Sequence, residues 1–189
     1  MGYESYITMI NLFKKLEKEE LLKQEGKLLD IGCGDGGISK PFFNYGYDVT
    51  LVDKDDGVLS KARDNFKQIK EVGFKTINVA LEDYIFSEHF DGIIMSNVLP
   101  FQKDKERINK TIQTAFSNLN EKGFLFFTLF GVKDEWNGKF PGMNFHNKEE
   151  ALGVLETEPY YFSEDYGKGL TMKGEMKTWH IFHLLYIKN

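Results

Sequence analysis

Short apolar runs alternate with longer amphipathic stretches along most of the chain. KLLDIG, YDVTLVD, FKTINVA, FDGIIMS and GFLFFTLFG read as five strands, the last with almost no polar interruption. Between them lie GDGGISKPFFNYG, KDDGVLSKARDNFKQIKEVG and DKERINKTIQTAFSNLNEKG, which read as helices. In the third helix Ile108, Ile112, Ala115, Phe116 and Leu119 fall on one side. Gly46 stops the first of them, and Pro41 either bends it or marks its first turn. Apolar strands separated by helices predict a parallel sheet covered on both faces.

The two ends depart from this alternation. From Ile7 to Gln24 the apolar residues Ile10, Phe13, Leu16 and Leu21 recur near helical spacing until Gly26, so residues 1–25 form an expected amphipathic helical cap. After Gly131 the period is lost through VKDEWNGKFPGMNFHN, and residues 131–147 are the expected active-site loop. KEEALGVLE then suggests a short helix. PYYFSEDYG and KTWHIFHLLYI read as an antiparallel strand pair linked by GKGLTMKGEM. No repeat or composition break divides the chain, so residues 1–189 are taken as a single domain.

Charge narrows the partners. The 24 basic against 29 acidic residues give a formal charge of -5, which attracts neither phosphate backbones nor anionic lipid. Only Arg63 and Arg107 are arginines, so a polyanion clamped by several guanidinium forks is not expected. Cys33 is the only cysteine, which excludes an intrachain disulfide and a cysteine-cluster metal site and fits a reducing compartment. The apolar stretch near the N-terminus meets Lys14 and Lys15 too soon for a signal peptide or membrane span. A small-molecule substrate in the cytoplasm, with no metal, nucleic acid or membrane, is the resulting expectation.

LLDIGCGDGG carries the sharpest chemistry. Asp30 closes a strand, and Gly32, Gly34, Gly36 and Gly37 follow before a helix, so the backbone there can approach a ligand closely. About twenty residues on, VTLVD ends the second strand at Asp53, where a carboxylate can accept both hydroxyls of a ribose. A nucleotide-like cofactor suits this pair. Gly32, Gly34 and Gly37 also satisfy a dinucleotide fingerprint. Asp30 decides against it, because a carboxylate repels a pyrophosphate but suits the ammonium of an amino-acid moiety.

With these motifs the sequence resembles the class I S-adenosylmethionine-dependent methyltransferases over nearly its whole length. DIGCGDG matches the family's first motif and VTLVD its ribose-binding acid, while FDGIIMSNVLPF and NLNEKGFLFFTLFG resemble its fourth-strand and fifth-strand motifs. FGVKDEWNGKFPGMNF and KTWHIFHLLYIKN look most like the small tellurite-resistance-type branch. The resemblance implies a Rossmann-like α/β fold with a seven-stranded, mostly parallel sheet. Its strand order is 3-2-1-4-5-7-6, with helices on both faces and one antiparallel strand. It implies that Asp30, Gly32, Cys33, Gly34 and Gly36 hold the methionine portion of the cofactor, Asp53 the ribose, and Lys54 the adenine edge. Ala80 stands where such families often place an acid after the third strand, so Glu82, Asp83 or backbone around Leu81 takes that contact. Ser96, Asn97 and Leu99 then border the sulfonium.

Methyl transfer is an in-line displacement that needs alignment and exclusion of water more than covalent catalysis. Trp136, Phe140, Met143, Phe145 and His146 are candidates to fold over the methyl group and acceptor, with His146 a candidate general base alongside Asn97 and His180 as catalytic candidates. Tyr166 is a further candidate for the acceptor pocket, as are Lys173 and Lys177 for an anionic acceptor. Strand alternation puts His180 and His183 on opposite sheet faces, so they do not share a metal. The expected reaction is methyl transfer to a small molecule, a thiol or a chalcogen oxyanion among the options. The alternatives are a catalytically silent cofactor-binding regulatory module and, third, an NAD-dependent oxidoreductase.

Overall fold

The computed structural model describes residues 3–66, 73–171 and 174–189. In chain order these form α1 (Tyr3–Lys18), β1 (Lys27–Ile31), α2 (Lys40–Tyr45), β2 (Asp48–Asp53), α3 (Asp56–Phe66), β3 (Phe74–Asn78) and β4 (Phe90–Met95). There follow α4 (Lys105–Ser117), β5 (Leu119–Gly131), β6 (Phe145–His146), α5 (Lys148–Leu152), β7 (Tyr161–Leu170) and β8 (Met176–Ile187). Lys173 and the end of the helix expected after Phe66 lie outside the described residues. Among the described residues no helix is long and apolar enough to cross a membrane.

The sheet runs β3-β2-β1-β4-β5-β8-β7, the order expected from the resemblance, with β8 antiparallel to both β5 and β7. One strand was not anticipated: the two-residue β6 pairs parallel to the end of β5, through Phe130–Phe145 and Gly131–His146, making eight. β1 pairs in parallel with both β2 and β4, so the connections diverge there and open a crevice beyond its carboxyl end.

Each sheet face is sealed by helices. Leu28, Ile94, Phe124, Phe126 and Leu185 meet Met9, Leu12 and Leu16 of α1, Phe42 and Phe43 of α2, and Leu59, Ala62 and Phe66 of α3. On the other face Leu29, Ile93, Met95, Leu125, Phe127 and Tyr186 pack with Ile108, Ile112 and Ala115 of α4 and Ala151 of α5. A third cluster of Phe130, Phe145, Trp179 and Ile181 gathers at the end of β5, with Trp136 and Met143 against it.

Several boundaries move for identifiable reasons. α1 ends at Lys18 instead of reaching Gln24, because Glu20 turns into the left-handed region at φ 56° and the Leu21 N–H returns to Leu16 O. Its buried ridge is Met9, Leu12 and Leu16, with Phe13 edge-on to Phe42 at 4.8 Å. α4 stops at Ser117 because the backbone N–H of Asn118 bonds to Thr114 and Ala115 carbonyls and its side-chain amide donates to Thr114 O at 2.8 Å. Pro41 occupies the first turn of α2, where its missing N–H costs nothing. β7 and β8 extend through most of the link expected between them, and Thr171 N–H bonds to Glu175 O where they turn.

Candidate functional site

The glycine loop leaves β1 beneath the end of β2. Gly32 and Cys33 both donate their N–H to Val52 O, at 2.8 and 3.1 Å. Gly32 has φ 72°, and a Cβ there would lie 2.6 Å from Cβ of Val98, so the residue admits no side chain. Gly34, at φ 57°, differs: an added Cβ would meet nothing within 4 Å. The loop therefore packs against protein at its start and faces open space two residues later.

Asp53 fixes that open turn. One carboxylate oxygen accepts the Gly34 N–H at 3.1 Å and the other accepts the Asp55 N–H at 3.0 Å. Behind the loop Asp30 is buried, and the Ser39 hydroxyl of the following turn donates to it at 2.5 Å. Burial raises the Asp30 carboxyl to about 7, opposed by the Ser39 bond and reinforced by the negative charges of Asp53 and Asp35. Cys33 is buried beside them, and burial pushes its thiol up, so it is not poised as a nucleophile.

The turn after β3 is more open. Leu81, Glu82 and Asp83 form a single 3-10 turn after β3, with Leu81 half-buried and both acids exposed. Lys54 is exposed beyond the end of β2. Among the described residues neither acid's side chain has a buried partner, in contrast to Asp30 with Ser39.

Beyond β4, Ser96 is buried and Asn97 adopts φ 56°. Asn97 holds this left-handed turn through Thr128 of β5: its N–H donates to the Thr128 hydroxyl at 2.7 Å, and that hydroxyl donates to Asn97 Oδ1 at 3.2 Å. The side-chain amide of Asn97 also reaches Ser96 Oγ at 3.4 Å. A second 3-10 turn, Leu99–Phe101, then meets the loop after β5. Asn144 N–H donates to Pro100 O at 2.9 Å and its side-chain amide to Gln102 O at 2.6 Å.

The loop over residues 131–147 closes around a buried cation. Lys177 Nζ lies 3.6 Å from the Trp136 ring centre and 3.7 Å from that of Trp179, and is paired with Asp134 at 2.5 Å. Asp134 also accepts the backbone N–H groups of Trp136 and His180. Phe140 is half exposed and edge-on to Trp136 at 5.4 Å, whereas Phe145 is buried against Phe130. Lys177 is thus turned inward, away from the role of anion receptor considered for it.

The two histidines proposed as catalytic have different fates. His180 accepts the Lys133 N–H on Nδ1 at 3.0 Å and lies 3.0 Å from Glu164 through Nε2, so both ring nitrogens are taken by the protein. Its ring fills the space a Cβ of Gly131 would need. That geometry fits a structural bond better than proton transfer. His146 is buried, and burial together with the Lys105 charge lowers it to about 4, opposed by the Glu150 charge and a hydrogen bond with the Phe130 backbone. A base near neutrality would need solvent access that this ring lacks.

A cleft of about 430 Å3 opens between α1 and the β7–β8 hairpin, lined by Ile7, Thr8, Asp165, Tyr166, Gly167, Trp179 and Ile181. The N-terminal end of α1 connects it to the glycine loop, since Tyr6 lies 3.8 Å from where a Cβ of Gly37 would stand. The sequence reading picked out Tyr166 but not Asp165, whose carboxylate lies 3.1 Å from Nδ1 of the buried His183. Period-two alternation puts Ser163, Asp165 and Gly167 on one face, and that was the available signal.

Comparison with known proteins decides the family. The methyltransferase-domain family matches residues 7–165. The chain belongs to that family. Its sequence is 26% identical over 141 residues to the putative methyltransferase YqeM of Bacillus subtilis, covering 72% of this chain and 55% of that protein. In structure this methyltransferase domain is similar to TehB from Haemophilus influenzae. The TM-score is 0.78 at 19% identity, with 96% of this chain and 62% of that chain covered. It is also similar to magnesium protoporphyrin IX methyltransferase from Synechocystis with bound SAH, at TM-score 0.66 and 19% identity, covering 98% and 84%. The chain thus spans little more than half the length of YqeM, and its fold is that of the class I S-adenosylmethionine-dependent methyltransferases.

Proposed function

We propose that this chain transfers a methyl group from S-adenosylmethionine to a small-molecule acceptor in the cytoplasm. The observation that carries the reading is the Asp53–Gly34 bond. It holds open a glycine turn where an added Cβ would meet nothing within 4 Å among the described residues, at the divergence of the β1 connections. The family membership and the SAH bound to the Synechocystis relative support the same cofactor. The residues fit it: Gly32, Cys33, Gly34 and Gly36 would hold the methionine portion with Asp30 behind them, Asp53 the ribose, Leu81 and Lys54 the adenine edge, with Glu82 or Asp83 near its amino group.

The cofactor supplies an activated methyl on a sulfonium. The chain supplies geometry. Ser96 and Asn97 border the transfer point, with the Asn97 turn held by Thr128, while Trp136, Phe140, Phe145 and Tyr166 shape the acceptor side and exclude water. The loop over residues 131–147 and the α1 cap close the site. With both His180 nitrogens engaged and His146 buried, the acceptor is one that needs no strong base, which favours a soft nucleophile such as a thiol.

Calorimetric titration of ligand-free protein with S-adenosylmethionine, S-adenosylhomocysteine and NAD tests this directly. Micromolar binding of the first two, abolished by Asp53→Ala, is expected. A preference for NAD, or no binding, overturns the reading. A catalytically silent module is the second reading, favoured by Ala80 at the adenine side. It predicts cofactor binding without turnover of any acceptor in a thiol and chalcogen-oxyanion screen.

A further inference from the structure

We infer that the acceptor carries an organic ammonium group and that Asp165 is its receptor in the cleft between α1 and the β7–β8 hairpin. The inference rests on methyl transfer as the activity and adds the class of molecule that is methylated.

The lining has one charge. Of the seven residues that wall the cleft, Asp165 is the only ionisable carboxylate and none is basic; Ile7, Trp179 and Ile181 supply apolar surface. A site for a selenium or tellurium oxyanion needs cationic or N–H donors, and a fixed carboxylate repels such a ligand. Lys168, three positions from Asp165, alternates to the other face of β7 and is exposed, and Lys177 is buried and paired with Asp134. Oxyanions therefore do not fit this lining.

Asp165 is held ready for a cation. The buried His183 lies 3.1 Å from one of its oxygens and keeps its carboxyl below the usual carboxylate range, so the group is ionised at neutral pH while its side chain stays partly open to the cleft. His183 sits opposite both Thr128 and Ser163 in the sheet register, so Thr128 links the Asn97 turn to the row that anchors Asp165. The ammonium is a handle rather than the atom methylated, because a protonated amine has no lone pair to attack the methyl carbon. The nucleophile lies elsewhere on the acceptor, toward Ser96 and Asn97. About 430 Å3 suits a molecule of modest size.

The test titrates the wild-type chain with three molecules of matched shape: 3-phenylpropylammonium, 3-phenylpropanol and 3-phenylpropanoate, read by calorimetry and tryptophan fluorescence. The ammonium is expected to bind about tenfold or more tightly than the alcohol, with the carboxylate weakest. Asp165→Asn removes the preference and Asp165→Glu restores part of it. Equal binding of ammonium and alcohol, or tighter binding of the carboxylate or of selenite, overturns the inference, and the wild-type comparison holds even if a variant fails to fold. S-adenosylhomocysteine is titrated into the same samples. Its binding without an ammonium preference sinks the handle alone, whereas an ammonium preference without cofactor binding sinks the methyltransfer reading.

Discussion

Lys177 and Asp134 form an ion pair, 2.5 Å apart, in which neither side chain is open to solvent. The pair joins the start of β8 to the loop after β5, and the lysine also lies against Trp136 and Trp179. Removing one member of such a pair leaves the other charge buried and alone. Lys177→Met is expected to cost about 3–5 kcal/mol. Adding Asp134→Asn should recover at least about 1 kcal/mol of that loss, since the amide oxygen still accepts a backbone N–H. Urea denaturation of the double-mutant cycle measures the coupling.

Asp30 gives stability a negative slope with pH. Its folded carboxyl titrates near 7 against 3.8 as the ordinary value, so between those limits the native state binds the extra proton. Stability is therefore greatest below the ordinary value and falls as pH rises toward 7, by on the order of 4 kcal/mol for this group. Asp30→Asn keeps an acceptor for Ser39 and removes the titration. Its stability relative to wild type should climb between pH 4 and 7, as read by denaturant midpoints.

His146 acts in the opposite direction. Its folded value of about 4 lies below 6.5, so the unfolded chain binds the extra proton and stability is lost as pH falls from neutral toward 4. The ring is buried, so His146→Phe takes two polar nitrogens out of the interior at similar volume. The variant should melt at least as high as wild type at pH 7.5 and higher at pH 5. Retained turnover in that variant would exclude His146 as a base.

Gly32 and Gly34 separate folding from binding. Gly32→Ala forces a methyl into Val98 and should destabilise the fold by about 2 kcal/mol or more. Gly34→Ala meets no protein atom, so its folding cost is only the left-handed backbone, about 1–2 kcal/mol. Its loss of S-adenosylhomocysteine affinity, read by calorimetry, should nevertheless be about tenfold or more, because the methyl enters space assigned to the cofactor.

The parts legible in sequence were those encoded locally. β1, β2, β4 and β5 announced themselves as apolar runs, and the turn from Asp30 to Gly36 with Asp53 was readable from spacing. The boundaries that slipped depend on single residues, such as Glu20 and Asn118, that end a helix by backbone geometry. The two-residue β6 has too little sequence for any period to register. Relations between distant segments were invisible for another reason: Asp134 and Lys177 lie 43 positions apart, and nothing in either neighbourhood names the other. The same separation hid Asp165 behind His183 and made His180 and His146 look equally available, when one is fully bonded and the other sealed in.

The bonds from Asn144 to Pro100 and Gln102 carry a mechanical consequence. They rivet the span that follows β4 to the one that follows β5, so the two walls of the proposed reaction chamber are tied together. On the proposed function, lifting the aromatic wall alone would break these bonds, and lifting it with them intact would carry the strip beside Asn97 along. Admission of the acceptor and the grip on the transferable methyl would then be geared together.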